Sequence, residues 1–212
     1  MIELSADEII QIHDKVVTRF KITPGVINKS NLASIVERPN IIIDNKEMYP
    51  DVYSKAASLL EGIIRWHPFA DGNKRTALLV MIYFLKLEGY GMALPLSAIR
   101  YSVKIAKERQ IDESNTKKLI KDISIWIEQH SGKTTDELNR KMFVYLEIPY
   151  RFLAFLARIK LERVVKRVVG KWMAFDLYPE YEQDAGDIVD FIQETLAASM
   201  RVFDDGNNDN LK

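Results

Sequence analysis

Apolar positions recur at three- and four-residue steps over most of the chain, which predicts helices rather than strands. Ile9, Ile10, His13, Val16, Val17 and Phe20 form the first stripe, behind Ser5 as cap and Glu8 three residues on. Residues 31–38 read as a short second helix that Pro39 ends. From Asp51, residues Val52, Ala56, Leu59, Leu60, Ile63 and Ile64 line one face of a longer helix, stopped by Pro68. A fourth helix is expected over 73–88, with Gly89 as its terminator. Further helices are predicted over 97–109, 114–129, 135–148, 149–169 and 184–203, and the polar stretch 204–212 reads as a disordered tail.

One stretch breaks the period. Residues 39–50 run from Pro39 through three consecutive isoleucines to Asp44-Asn45, then mix polar and apolar side chains up to Pro50. β-branched residues followed by an Asp-Asn pair predict a short hairpin. Composition shifts over 130–134, which sets a boundary there. The expected architecture is an all-α helical bundle over 1–130, carrying a short β-hairpin, with a small helical extension over 131–203.

Composition narrows the function. Of 212 residues, 47% are hydrophobic, enough for a core and against global disorder. The absence of cysteine excludes disulfides, thiolate catalysis and zinc–sulfur sites. The start carries acidic residues where a secretory signal carries basic ones, and no apolar run approaches the roughly 18 residues of a membrane span. A soluble, cytoplasmic chain without a membrane partner is the expectation. Thirty basic and 30 acidic side chains cancel, which argues against a whole-protein grip on nucleic acid. The charge is unevenly placed. Residues 141–171 hold 8 basic and 2 acidic groups, and residues 172–212 hold 2 basic and 10 acidic. Neighbours of opposite sign are expected to lie against each other.

Reactive side chains crowd into one segment between two apolar helices, His67-Pro-Phe-Ala-Asp-Gly-Asn-Lys-Arg-Thr76. Pro68 biases His67 out of the helix and so places it at a mouth, while Phe69 is expected to turn inward as an anchor. Asp71 is a hard oxygen ligand suited to Mg²⁺. Gly72 permits close backbone approach to a ligand. Asn73, Lys74 and Arg75 open a helix, so amides, the positive helix end and two cations share one space. Two basic residues at a helix start oppose its dipole, and a bound anion restores the balance. With a histidine whose pKa lies near neutrality, these are the parts of a nucleotide-dependent transfer.

The string 67–77, HPFADGNKRTA, resembles the signature of the Fic/Doc family, specifically its death-on-curing (Doc) branch. The likeness extends to the opening helix from Leu4 to Asp14, to 31–39, and to the helix pair from Tyr49 to Tyr90, roughly the first 125 residues. The resemblance implies the Fic fold, with residues 39–50 as a flap along which a target protein segment lies as an added strand. By the same resemblance His67 deprotonates a target hydroxyl and Phe69 is structural. Asp71 binds Mg²⁺ bridging the phosphates of ATP. Gly72 and Asn73 form the anion hole, and Lys74 and Arg75 bind the phosphates. Adenylylating relatives carry H-x-F-x-x-G-N-G-R-x-x-R. Here Lys74 replaces the second glycine and Leu78 the later arginine, which favours γ-phosphoryl transfer over AMP transfer. An inhibitory S/T-x-x-x-E-G/N string is absent, since Ser58-Leu-Leu-Glu61-Gly62 is one residue short. Relatives on the Doc branch are toxins restrained by a separate antitoxin chain, and a partner of that kind is implied here.

Other residues read more plainly. His13 is expected as a core or edge histidine, and His130 takes no role. Trp66, Tyr49 and Tyr53 are read as packing, and Arg65 lies near enough in sequence to touch a ligand. The basic helix holding Arg158, Lys160, Arg163, Lys166 and Arg167 is expected to pack on the catalytic part or on a second copy. The competing reading makes the chain a non-catalytic regulator that binds through that helix.

Overall fold

The computed structural model describes residues 4–95, 97–108 and 112–142. The expected helices over 149–169 and 184–203, the end of that over 135–148, the tail and both charged segments lie outside the described residues. The chain divides into two compact units, the first formed by Met1–Gly89 with Ser102–Gln129, the second by Tyr90–Tyr101 with the residues from His130 onward.

In the first unit α1 spans Ala6–Phe20 and starts on a complete capping box, with Ser5 accepting from the Glu8 amide and Glu8 accepting from the Ser5 amide. Helix α2 (Lys29–Glu37) begins two residues earlier than its apolar pattern suggests, because Asn28 caps it by accepting from Asn31 N. Pro39 does not stop the chain from coiling. It enters a 3-10 turn, Arg38–Asn40, where a missing N–H costs nothing at a first turn. Strands β1 (Ile42–Ile43) and β2 (Lys46–Glu47) pair antiparallel, Ile42 opposite Glu47 and Ile43 opposite Lys46. Asp44 and Asn45 between them have φ of 51° and 59°, the left-handed pair that a two-residue hairpin demands.

Helices α3 (Val52–Trp66) and α4 (Asn73–Leu87) form the buried centre. Asp51 caps α3, and every residue from Ala56 to Ile64 is buried. Along α4, Ala77, Leu78, Val80, Met81, Phe84 and Leu85 are buried. Only six residues link the two helices, so they pack as an αα-hairpin. Helix α1 lies on α4 and α2 on α3; Tyr83 of α4 donates to Glu8 of α1 at 3.0 Å. Helix α5 (Ala98–Lys107) runs across the division between units, and α6 (Glu113–His130) buries Ile120, Ile123 and Ile127 in the first.

In the second unit β3 (Gly91–Met92) pairs antiparallel with β4 (Ser131–Gly132), and Ala93 N donates to His130 O at 2.7 Å. Helix α7 (Thr135–Met142) follows β4, and Lys141 donates to Ser131 O. No described helix is long and apolar enough to cross a membrane.

Candidate active site

The site is the turn that joins α3 to α4. Trp66 ends α3, and His67 follows with φ 45° and ψ 61°, a left-handed kink at a position where Pro68 disfavours another right-handed helical residue. The kink leaves the His67 side chain exposed. Loss of hydration in the loop, and after it the Lys74 ammonium, holds its imidazole below the ordinary histidine value. A neutral ring at pH 7 follows, with a lone pair available to accept a proton.

Phe69 turns inward and is 1% exposed. Its ring stacks on His13 of α1, with centroids 3.9 Å apart and planes 12° from parallel. His13 is fully buried, as its place on the apolar stripe suggests. Its Nδ1 shares a 3.1 Å hydrogen bond with Thr76 Oγ1, while its Nε2 has no partner. Burial dominates its titration and lowers it, against smaller opposing effects of Asp14 and Asp71.

Asp71 is exposed, and its Oδ1 accepts from the Gly72 amide. No cluster of three metal-ligating side chains occurs among the described residues, so a cation here would complete its shell from phosphate oxygens and water. Gly72 has φ 71° and takes the N-cap position of α4 without a side chain to close it. Its need for glycine comes from the protein side. A β-carbon there would stand 2.4 Å from Ile22 Cδ1 and 3.3 Å from Val16 Cγ1, so the residue lets the turn press onto α1. Close approach to a ligand is not what this geometry records.

Asn73 is also committed inward. Its Oδ1 accepts from Phe69 N at 3.0 Å and its Nδ2 donates to Phe69 O at 2.8 Å, so the side chain staples the turn. The first rung of α4 runs from Thr76 N to Gly72 O at 2.9 Å, and the Asn73, Lys74 and Arg75 amides precede it. Lys74 is half-exposed. Arg75 is 8% exposed and lies over the Phe20 ring at 4.3 Å. Helix α4 thus opens with two cations and no acidic residue in its first turn, a pattern suited to an anion. Leu78 is wholly buried, so the twelfth and last position of the motif belongs to the core.

A buried ionic group under the turn escaped the sequence reading. Glu61 of α3 is 1% exposed; it accepts from Arg38 through Oε2 and from Arg65 at 3.2 Å through Oε1. Arg38 also donates to Ser58 O at 3.2 Å and lies over the Trp66 ring at 4.5 Å. Its reach depends on Gly62, where a β-carbon would stand 3.0 Å from the guanidinium. The signal was present: a glutamate between Leu60 and Ile63 on a buried face requires a cation. Beside the foot of the hairpin, Tyr49, Asp51 and Ser54 face Thr116, Ile120 and Ser124 of α6 across a cavity of about 540 Å³.

Comparison with known proteins falls on this same part of the chain. The family described as Fic/DOC matches residues 3–85. The chain is 32% identical over 89 residues to Protein kinase doc of Escherichia phage P1, which covers 42% of this chain and 70% of that protein. It is 39% identical over 62 residues to Toxin Doc of Mycolicibacterium smegmatis, covering 29% of this chain and 48% of that one. With the family match running from before α1 into α4, across the turn between α3 and α4, and with these relatives, the chain belongs to the Fic/DOC family, on its death-on-curing branch.

Proposed function

We propose that the chain is a Doc-like transferase that moves the γ-phosphoryl group of ATP, with magnesium, onto a hydroxyl side chain of a target protein. The observation that carries this is the pairing of an exposed imidazole, set out of α3 by the left-handed kink at His67, with a helix start that is basic and has no side-chain cap. The names of the two relatives, a protein kinase and a toxin, support a growth-arresting transferase held in check by an antitoxin partner.

In this reading His67 accepts the proton of the target hydroxyl as its oxygen attacks the γ-phosphorus. The bond from that phosphorus to the β–γ bridging oxygen breaks, and ADP leaves with the electron pair. Asp71, exposed at the turn, would hold Mg²⁺ through its carboxylate, and the ion would neutralise phosphate charge. The amides at the start of α4, Lys74 and the Gly72 turn receive the phosphates. Asn73 serves as the brace of that cradle, and its backbone N–H is the part left to face an anion. Arg75 contributes positive potential from its seat over Phe20. The hairpin, two-stranded among the described residues with Ile42 and Ile43 exposed, supports docking of an extended target segment at its edge.

Lys74 where a glycine would open space, and a buried Leu78 in place of a second arginine, favour phosphoryl over AMP transfer. Incubation with γ-labelled and α-labelled ATP tests the choice: label carried to protein from γ-ATP alone is expected, and label from α-ATP alone overturns it. His67→Ala is expected to abolish transfer with an unchanged circular-dichroism melt; retained transfer removes His67 from the base role.

A further inference from the structure

His67 hangs on a backbone that an L-residue disfavours. Its left-handed φ and ψ cost on the order of 1–2 kcal/mol, and the surrounding structure must hold them. The segment between α1 and α2 does so from one side, and the first turn of α2 from the other. After His67, the Ile27 and Asn28 amides both donate to Pro68 O, at 2.8 and 3.2 Å. Ala70 N donates to Gly25 O at 3.0 Å, and Val26 bridges to Phe69. Before His67, Asn31 Nδ2 donates to Trp66 O at 2.7 Å.

That last bond differs from the others in kind, because a side chain makes it. Trp66 O is the final carbonyl of α3, and a helix end must satisfy such groups from outside the ladder. The amides that a continuing helix or a tightened last turn would offer it are spoken for. Ala70 N is on Gly25 O, and Phe69 N is on Asn73 Oδ1. Asn31 is itself seated by the cap of α2, where its amide donates to Asn28 Oδ1 at 2.9 Å.

We infer that Asn31 is a positioning residue for His67, its amide gripping the carbonyl just before the kink and so fixing where the imidazole points. This rests on His67 as the base. Asn31 acts through the peptide between Trp66 and His67.

Two variants of the full chain test it. Asn31→Ala removes the donor. Asn31→Asp keeps the size, suits the first turn of α2, and sets a carboxylate against the carbonyl. Both are expected to lower kcat for γ-label transfer to lysate protein by about tenfold or more, with KM for ATP within about twofold, since α4 is untouched. The chain has three histidines, so imidazole NMR resolves His67, assigned by its loss in His67→Ala. In Asn31→Ala, which adds no charge, its titration is expected to move back up toward the ordinary histidine value as the ring leaves the turn. Parental kcat in a folded variant overturns the inference. So does a lowered melting temperature with an unmoved His67 titration, which marks a merely structural bond. If His67→Ala retains transfer, the base assignment falls instead, and the NMR arm still reports whether Asn31 fixes the ring.

Discussion

At the scale of single residues, Gly72 carries two constraints at once. A β-carbon meets Ile22, and φ 71° strains any L-residue. Gly72→Ala is expected to lower unfolding free energy in urea by about 2 kcal/mol or more. Adding Ile22→Ala, at a half-buried site, should recover the steric share and leave the strain. Equal losses in both proteins would mean that the clash is relieved some other way. His13 sets a pH dependence. Its folded-state pKa lies below 6.5, so the unfolded chain binds the proton more readily. Stability therefore holds above about pH 6.5 and declines as pH falls through that value toward the folded pKa. Urea melts between about pH 7.5 and 5 should show this decline, and His13→Gln should flatten it; an unchanged slope would assign the decline elsewhere. Which residues would gather at the turn was legible because Pro68, Gly72 and the basic helix start have local meaning. The inward use of Asn73 and the seat of Arg75 over Phe20 were not, since spacing alone does not say which way a side chain turns.

Among elements, α1, α3 and the hairpin declared themselves through short-range chemistry: Ser5 with Glu8, Asp51 with Ser54, Asp44 with Asn45. Ser5→Ala should cost about 1 kcal/mol, seen as a lower urea midpoint at an unchanged slope. The Arg38–Glu61–Arg65 group is a different matter: Arg65 meets Glu61 one turn along α3, but Arg38 lies 23 residues from Glu61 and only the fold joins those two. Glu61→Leu leaves two buried guanidinium groups without their anion and is expected to destabilise by about 3–5 kcal/mol. A loss below about 1 kcal/mol would show those cations satisfied from elsewhere. Helix α2 ends at Glu37, ahead of Pro39 as the sequence indicated, yet the chain coils on past it. Pro39 forbids a preceding α-helical residue only in tendency, and a 3-10 turn accommodates it at its start.

For the whole molecule, the pairing of β3 with β4 bears on how the chain can be cut. Strands of two residues, separated by 38 positions in sequence, leave no periodic trace, and composition alone drew a border at 130–134. Residues 91–93 find their hydrogen bonds at 130–132. A fragment ending at 129 therefore strands them, whereas one ending at 142 keeps them paired. The longer fragment is expected to melt several degrees higher by circular dichroism, and coincident melts would show the pairing to be dispensable.

The hairpin has one more consequence. Its ladder is short, two paired rungs with a further bond from Met48 N to Ile41 O and a Glu47–Lys55 ion pair at 3.1 Å; its isoleucines face outward, and its base is anchored by Tyr49, 5% exposed. Its amides should trade protons for deuterons within the earliest time points, long before those of α3. Whatever strand settles alongside would slow that exchange, making the ribbon its own reporter of occupancy.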